Sequence, residues 1–258
     1  MPVILPIKTK GGKLHANYND DVYTLYPYIE NYIQPNRNEL TDKQITSMAL
    51  LLAELHIKGG QAQNVFKNEE KPSWDKVKTL RKIDEICCLI GNSEFDKIAR
   101  EILNIRKNFI ENNSILYEDL NIQSTTLLHG DYHEQNLFFD QNDKILHIFD
   151  FEKACFGSPY SELVRTILLV CFNHEYKPNN FRKAKLFLNF YASKIKLDPL
   201  ILDKAFTAQI IKMFHSTWIE GEHYINKNSK LDKLLLPNLE SLKFLEINHT
   251  KFMNLINS

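Results

Sequence analysis

At 258 residues the chain can bury a substantial core in one or two domains, and its 43% hydrophobic and 25% charged content is ordinary for a soluble globular protein. A formal net charge of zero gives no basic field for nucleic acid or for an anionic membrane. No apolar run approaches the ~18 residues of a membrane span, and the N-terminus lacks a charged-then-apolar signal layout, so a cytoplasmic location without a nucleic-acid or membrane partner is expected.

The first elements are short. Val3-Ile4-Leu5 is a β-prone run stopped by Pro6 and by the turn Lys10-Gly11-Gly12-Lys13. A polar gap from Asn17 to Asp21 leads into Val22–Ile29, rich in β-branched and aromatic residues, which reads as a strand with Pro27 marking its end or an exposed edge. Residues 1–35 hold too little apolar surface for an independent domain.

From Thr41 the apolar period becomes helical. Ile45, Met48, Leu52 and Leu55 recur until Gly59-Gly60; a second helix is expected over Trp74–Ile90 with Leu80, Ile83, Cys87 and Ile90 on one face. A third starts near Ser93, with Phe95, Ile98, Ile102, Ile105 and Phe109 forming a seam. The four cysteines show no C-x-x-C spacing, and Cys87 and Cys88, adjacent in a helical pattern, read as buried small hydrophobes of a reducing compartment. Further helices are expected over 159–172, 178–195, 199–224 and 234–255, three of them with proline at the start. The order predicts a mainly helical α+β fold with a small sheet at its centre and no linker dividing it after residue 40.

That centre carries the chemistry. Leu127-Leu128-His129-Gly130-Asp131 delivers an acid from an apolar run, and Asn136 follows. Residues 137–139 and 145–149 are two apolar strands around the polar loop 140–144, and the second ends on Asp150. Pairing them brings Asn136 and Asp150 together at one end. An oxygen from each suits hard Mg²⁺, and Asp131 is placed to accept or orient a hydroxyl proton, as phosphoryl transfer requires. His129, Asp131 and His133 also alternate as H-x-D-x-H, a metallohydrolase pattern, but no second ligand cluster accompanies it and Asn136 and Asp150 would have no part in it. Glu220, Glu222 and Asp232 read either as solvated helix charges or as the lining of a pocket for a cationic substrate. The histidines at 15, 56, 147, 174, 215, 223 and 249 read as surface or packing residues.

His129-Gly130-Asp131 with Asn136, followed by Ile148-Phe149-Asp150-Phe151-Glu152, resembles the signature of the aminoglycoside phosphotransferase and choline kinase superfamily. The resemblance implies a C-lobe of protein-kinase type, and a phosphotransferase moving the γ-phosphate of ATP or GTP to a hydroxyl of an aminoglycoside-, amino alcohol- or sugar-like molecule. It makes Asp131 the catalytic base, His129 a brace for the loop, and Asn136 and Asp150 the Mg²⁺ ligands. Residues 23–30 are similar to the hinge that binds the nucleotide base: Pro27 offers a carbonyl and Ile29 an N–H, with Tyr28 between them, and Phe138 and Phe149 form an apolar floor. Gly157–Leu163 resembles the segment after the second motif, with Glu162 where many relatives have Asp.

The departure is upstream. Only 22 residues precede Tyr23, with no G-x-G loop, and Lys8, Lys10 and Lys13 lie in a turn context rather than on the strand that carries an ATP lysine. The expectation is therefore residues 1–35 as the remnant of an N-lobe and hinge, and residues 36–258 as a helical C-lobe. A truncated, catalytically inactive binding module is the alternative function. An unpaired edge over Val22–Tyr28 would invite self-association.

Overall fold

Thr41 starts the first long helix by a reciprocal cap: its hydroxyl accepts from the Gln44 N–H, and the Gln44 side chain accepts from the Thr41 N–H. The computed structural model describes residues 2–62 and 74–257. In it α1 (Asp42–Gly59) buries Ile45, Met48, Leu52 and Leu55 and packs on α5 (Pro178–Ala192), as its apolar spacing requires. α2 (Lys76–Cys87) lies against α3 (Glu94–Asn112), which Ser93 caps, and α3 in turn packs on α8 (Leu235–Asn248). The chain is thus an α+β fold, mainly helical, with its small sheets gathered beside α1.

Those sheets are antiparallel pairs. β1 (Ala16–Tyr18) pairs with β2 (Asp21–Tyr23), β3 (Thr126–Leu128) with β6 (Cys155–Gly157), and β4 (Leu137–Phe139) with β5 (Ile145–Ile148). Two further segments widen the last pair. Ile148 N–H donates to the Pro2 carbonyl at 2.8 Å beside a parallel Val3–Ile148 bridge, and Ile33 exchanges both backbone bonds with Phe139 at 2.7 and 2.9 Å. The N-terminal run and the end of the hinge are thereby fastened to either edge of the central hairpin. Alternation puts Leu137 and Phe139 into the core and Phe138 on the other side, and a register shift in the pairing opposite Phe138–Phe139 brings both Ile145 and Ile148 inward.

Several expectations need correction. The strand expected over Val22–Ile29 is paired only over Asp21–Tyr23, and the polar gap before it is the turn of a hairpin. Asn19 and Asp20 both take positive φ there (47° and 63°), the mirror-image turn that matches strand twist and that these two residue types tolerate. Beyond Tyr23 the chain stays extended, and the Leu25 carbonyl accepts from the Ile7 N–H at 2.8 Å. The helix expected over 199–224 is broken into α6 (Pro199–His215) and α7 (Trp218–Tyr224). Arg106 of α3, fully buried, explains the break: its guanidinium donates to the Met213 and Phe214 carbonyls, which then need no further helical turn.

Similarly, the stretch 234–255 resolves into α8 and α9 (Phe252–Asn257) around a 3-10 turn at His249–Lys251, and α4 (Pro159–Ile167) runs into a π-helical turn over Leu168–Phe172. Finally, Cys87 and Cys88 are exposed, not buried. The face of α2 turned inward is the expected Ile83 with Ile86 in place of Cys87, and α3 buries the expected Ile102 and Phe109 together with Ala99, Leu103 and Ile110.

Candidate functional site

β3 and β4 hold the two ends of the loop that carries Asp131, and β6 is paired to β3 beside it. Glu162 on α4 reaches under the turn, accepting from the His129 N–H at 3.1 Å and the Gly130 N–H at 2.5 Å. Glu162 is 4% exposed. Burial alone pushes its carboxyl up, but the His56 imidazole, at 2.9 Å through Nε2, and the Gly130 N–H outweigh that and hold it below the usual carboxylate range. His56 in turn meets the Tyr191 hydroxyl at 2.6 Å through Nδ1, so α1, α4 and α5 are joined through one buried polar chain beneath the loop.

Gly130 is required for two reasons. Its φ is +81°, and a Cβ there would stand 2.0 Å from the Lys153 carbonyl oxygen. Gly130→Ala is expected to cost at least about 1–3 kcal/mol, because a strained backbone is compounded by displacement of the 151–154 turn. A denaturant midpoint equal to that of the parent chain would refute this.

Three side chains of the motif meet around the loop. Asn136, 6% exposed, donates through Nδ2 to the Asp131 carbonyl at 2.9 Å, which leaves its Oδ1 as an acceptor. Its own carbonyl accepts from the Phe149 N–H at 3.2 Å, so β4–β5 pairing sets it beside the residue preceding Asp150. Asp150 is exposed, has φ of 64°, and its carboxylate makes no hydrogen bond or ion pair among the described residues. His129 ties the two halves: Nε2 donates to the Phe149 carbonyl at 2.8 Å while Nδ1 accepts from the Asp131 N–H at 3.2 Å. Burial lowers its pKa, consistent with a neutral ring that has one donor and one acceptor to offer. An amide oxygen and a free carboxylate at adjacent positions form a hard-oxygen donor set of the kind Mg²⁺ takes.

Asp131 itself is held from both sides. Lys153 donates to one carboxylate oxygen and Arg165 to the other, each at 2.7 Å, and Arg165 also donates to the Gly130 carbonyl. Partial burial pushes the Asp131 carboxyl up, but the two cations prevail and set it at about 2. His133 stands further off, with Nε2 3.8 Å from the carboxylate. The H-x-D-x-H alternation does not assemble a metal centre: among the described residues no group of three His, Cys, Asp or Glu side chains is placed to hold an ion.

Behind Asp150 lies a cavity of about 690 Å³, lined by Ile4, the hinge residues Tyr26–Ile29, Tyr32, Phe138, Phe149, Phe151, Asp150 and Glu152. The expected hinge residues Pro27, Tyr28 and Ile29 thus share one cavity with Phe138, Phe149 and Asp150. Phe138 and Phe149 have ring centroids 4.4 Å apart, and Tyr32, which sequence reasoning passed over, stacks on Phe138 at 3.9 Å. Neither the Pro27 carbonyl nor the Ile29 N–H has a backbone partner among the described residues.

The acids considered for a cationic pocket are engaged elsewhere. Glu220 is fully buried 3.7 Å from Arg106, Asp232 meets His223 at 3.0 Å, and Glu222 accepts from Asn226 and Asn228. Conversely, His56, Lys153 and Arg165 were not singled out from sequence. For Arg165 and His56 the only signal was indirect: Arg165 is three residues after Glu162, one helical turn on, and His56 lies one turn after Leu52 on the buried face of α1.

Comparison with known proteins agrees with this fold. The model of a family described as the phosphotransferase enzyme family matches residues 2–186. A search among curated proteins found no match. Among solved structures the chain is similar to a spectinomycin phosphotransferase in complex with ADP and spectinomycin (17% identity, TM-score 0.59, covering 98% of this chain and 78% of that one). It is also similar to an aminoglycoside phosphotransferase from Alicyclobacillus acidocaldarius (12% identity, TM-score 0.64, covering 100% and 77%). An amicoumacin kinase in complex with AMP-PNP and Ca²⁺ aligns at 13% identity with a TM-score of 0.50, covering 95% and 72%. At these identities the likeness is one of fold.

Proposed function

Because the chain belongs to the phosphotransferase enzyme family, we propose that it moves the γ-phosphoryl group of ATP or GTP to a hydroxyl of a small molecule. The observation that carries this reading is the convergence of Asp131, Asn136 and Asp150 at one end of β4–β5, beside a cavity that the hinge lines. The nucleotide base sits against Phe138, Phe149 and Tyr32, with the Pro27 carbonyl and Ile29 N–H as its hydrogen-bonding edge. Asn136 through Oδ1 and Asp150 through its carboxylate would hold Mg²⁺, which would neutralise charge on the phosphates. Asp131 accepts a hydrogen bond from the acceptor hydroxyl and aims its oxygen at the γ-phosphorus. The new bond joins that oxygen to phosphorus, the bond to the β-phosphate oxygen breaks with its electron pair leaving on the nucleoside diphosphate, and the proton passes to solvent. With its carboxyl held at about 2, Asp131 orients the hydroxyl and does not retain the proton at neutral pH. His129 keeps the loop and the metal residues in register.

A second reading rests on one feature: among the described residues the cavity lining includes no basic side chain to grip phosphates. On that reading the chain binds nucleotide without turning it over. Mg²⁺-dependent binding of ATP or GTP, followed by nucleoside diphosphate release with and without acceptors, separates the two. Asp150→Asn is expected to raise the Mg²⁺ requirement at least about 10-fold, since even outer-sphere partners of a metal contribute ~10–100-fold. An unchanged Mg²⁺ titration would remove Asp150 from the metal site, and no nucleotide binding in the presence of Mg²⁺ would end both readings.

A further inference from the structure

The charges around Asp131 carry information about the acceptor. The side chains that bear most directly on its carboxylate are basic: Lys153 from the turn after β5, Arg165 from α4, and His133 from its own loop. The next cation outward, Arg37, is already bound to the buried Glu134 at 2.7 Å. Lys153 and Arg165 are two full positive charges on the one carboxylate of Asp131, so these three side chains carry an excess of one; of the neighbouring acids, Glu162 is buried under the loop on His56 and two backbone N–H groups, and Asp150 and Glu152 face the cavity. Neither cation is locked away: their side chains are 56% and 36% exposed, on the side open to solvent. Of the acids of the helical half weighed for an ammonium group, Glu220 is fully buried and faces Arg106 at 3.7 Å, Asp232 meets His223 at 3.0 Å, and Glu222 accepts from the Asn226 and Asn228 amides.

We propose that the acceptor carries an oxoanion, a carboxylate or a phosphate, a few bonds from the hydroxyl that is phosphorylated, and that Lys153 and Arg165 are the groups that hold it. This rests on the phosphotransferase reading. On acceptor binding the two cations share themselves between Asp131 and the ligand oxoanion, and Asp131 gains room to accept the hydroxyl. An ammonium-bearing acceptor entering the same place meets two like charges within a few ångströms of its hydroxyl, an arrangement that repels even where water screens it.

A matched three-carbon series tests this: glycerol, glycerate, glycerol 3-phosphate and 3-amino-1,2-propanediol. The purified chain is first titrated with Mg²⁺ and AMP-PNP by calorimetry; the saturated complex is then titrated with each acceptor, and initial rates are measured with Mg²⁺ and ATP. The expected result is that at least one anion binds or reacts about 10-fold or more better than glycerol, with the amine poorest. Lys153→Gln and Arg165→Gln should each shrink the anion-to-glycerol ratio. Glycerate ahead of glycerol 3-phosphate assigns the oxoanion as a carboxylate, and the reverse order as a phosphate. AMP-PNP binding without a preference for either anion, a preference for glycerol or the amine, or an anion preference untouched by both substitutions overturns the inference alone. Absence of binding of both AMP-PNP and GMP-PNP, the latter replacing the former in the same titration, overturns the phosphotransferase reading and this inference with it.

Discussion

Asp131→Ala is expected to lower kcat for phosphoryl transfer by about 10²–10⁴-fold while leaving the KM for nucleotide close to its parent value. The split follows from the layout. Asp131 sits on the β3–β4 loop between Lys153 and Arg165, whereas the cavity proposed for the nucleotide is lined by Tyr26–Ile29, Tyr32, Phe138 and Phe149. Loss of fold is a poor explanation for the expected fall, because the two cations that lose their partner are 56% and 36% exposed and regain water, and exposed ion pairs contribute only about 0–1 kcal/mol. A parent-like unfolding midpoint with kcat reduced by at least about 10²-fold is therefore the diagnostic pair. The pH dependence has a definite sign. The Asp131 carboxyl is lowered from 3.8 to about 2, so it is ionised throughout the range in which the protein would be assayed. Whatever stability its pairing adds is present above 3.8 and is lost as pH falls through about 2. An acid limb of the rate profile near neutrality thus belongs to another group, and it should survive unchanged in position when Lys153 is replaced by glutamine.

What the sequence could disclose about this site, and what it could not, follows from which interactions are local. His129, Asp131, Asn136 and Asp150 were readable because their spacing is dictated by a single hairpin. Two short apolar runs around a polar loop admit essentially one pairing, and that pairing sets Asn136 next to Phe149. The hinge came from the family resemblance alone; what the residues themselves indicated, Pro27 at the end of a strand or on an exposed edge, is matched by a chain that stays extended beyond Tyr23. Lys153, Arg165 and His56 were not, because each acts through a partner 22, 34 or 106 residues away, and nothing in a lysine or arginine on its own marks the carboxylate it will meet. The broken helix at Ser216–Thr217 was hidden for the same reason. Arg106 lies 107 residues before Met213, and only the folded core reveals that a guanidinium takes the carbonyls that would otherwise have continued the helix. The cysteine assignment failed on phase: Ile83 and Ile86 set the inward direction of α2, and a shift of one residue carried Cys87 into solvent.

Glu162→Ala is expected to be the most damaging single change to the catalytic loop, destabilising the chain by about 3–5 kcal/mol. Two buried backbone donors, the His129 and Gly130 N–H groups, lose their acceptor at about 1–3 kcal/mol each, and the His56 imidazole is left facing the gap. For a domain of this size that corresponds to a fall of roughly 10 °C in Tm. Stability is only half of the expected effect. Glu162 holds the backbone on both sides of the Cα that positions Asp131, so molecules that remain folded should show a lower kcat, with the KM for nucleotide changed much less. Glu162→Gln separates the two consequences, since its amide oxygen can still accept from Gly130 but its NH₂ cannot replace the second carboxylate oxygen. It should retain more stability than the alanine variant and still lose rate. The acid dependence gives an independent check. Glu162 is held below its ordinary value of 4.5, so its stabilising contribution is complete above that value and disappears as pH falls through the lowered one. The Tm difference between the parent and Glu162→Gln should therefore be full near neutrality and narrow steadily below about pH 4.5. A difference that stays constant down to the acid transition would mean that Glu162 supports the loop by packing alone, and that the charge at the centre of the His56–Tyr191 chain has no part in placing Asp131.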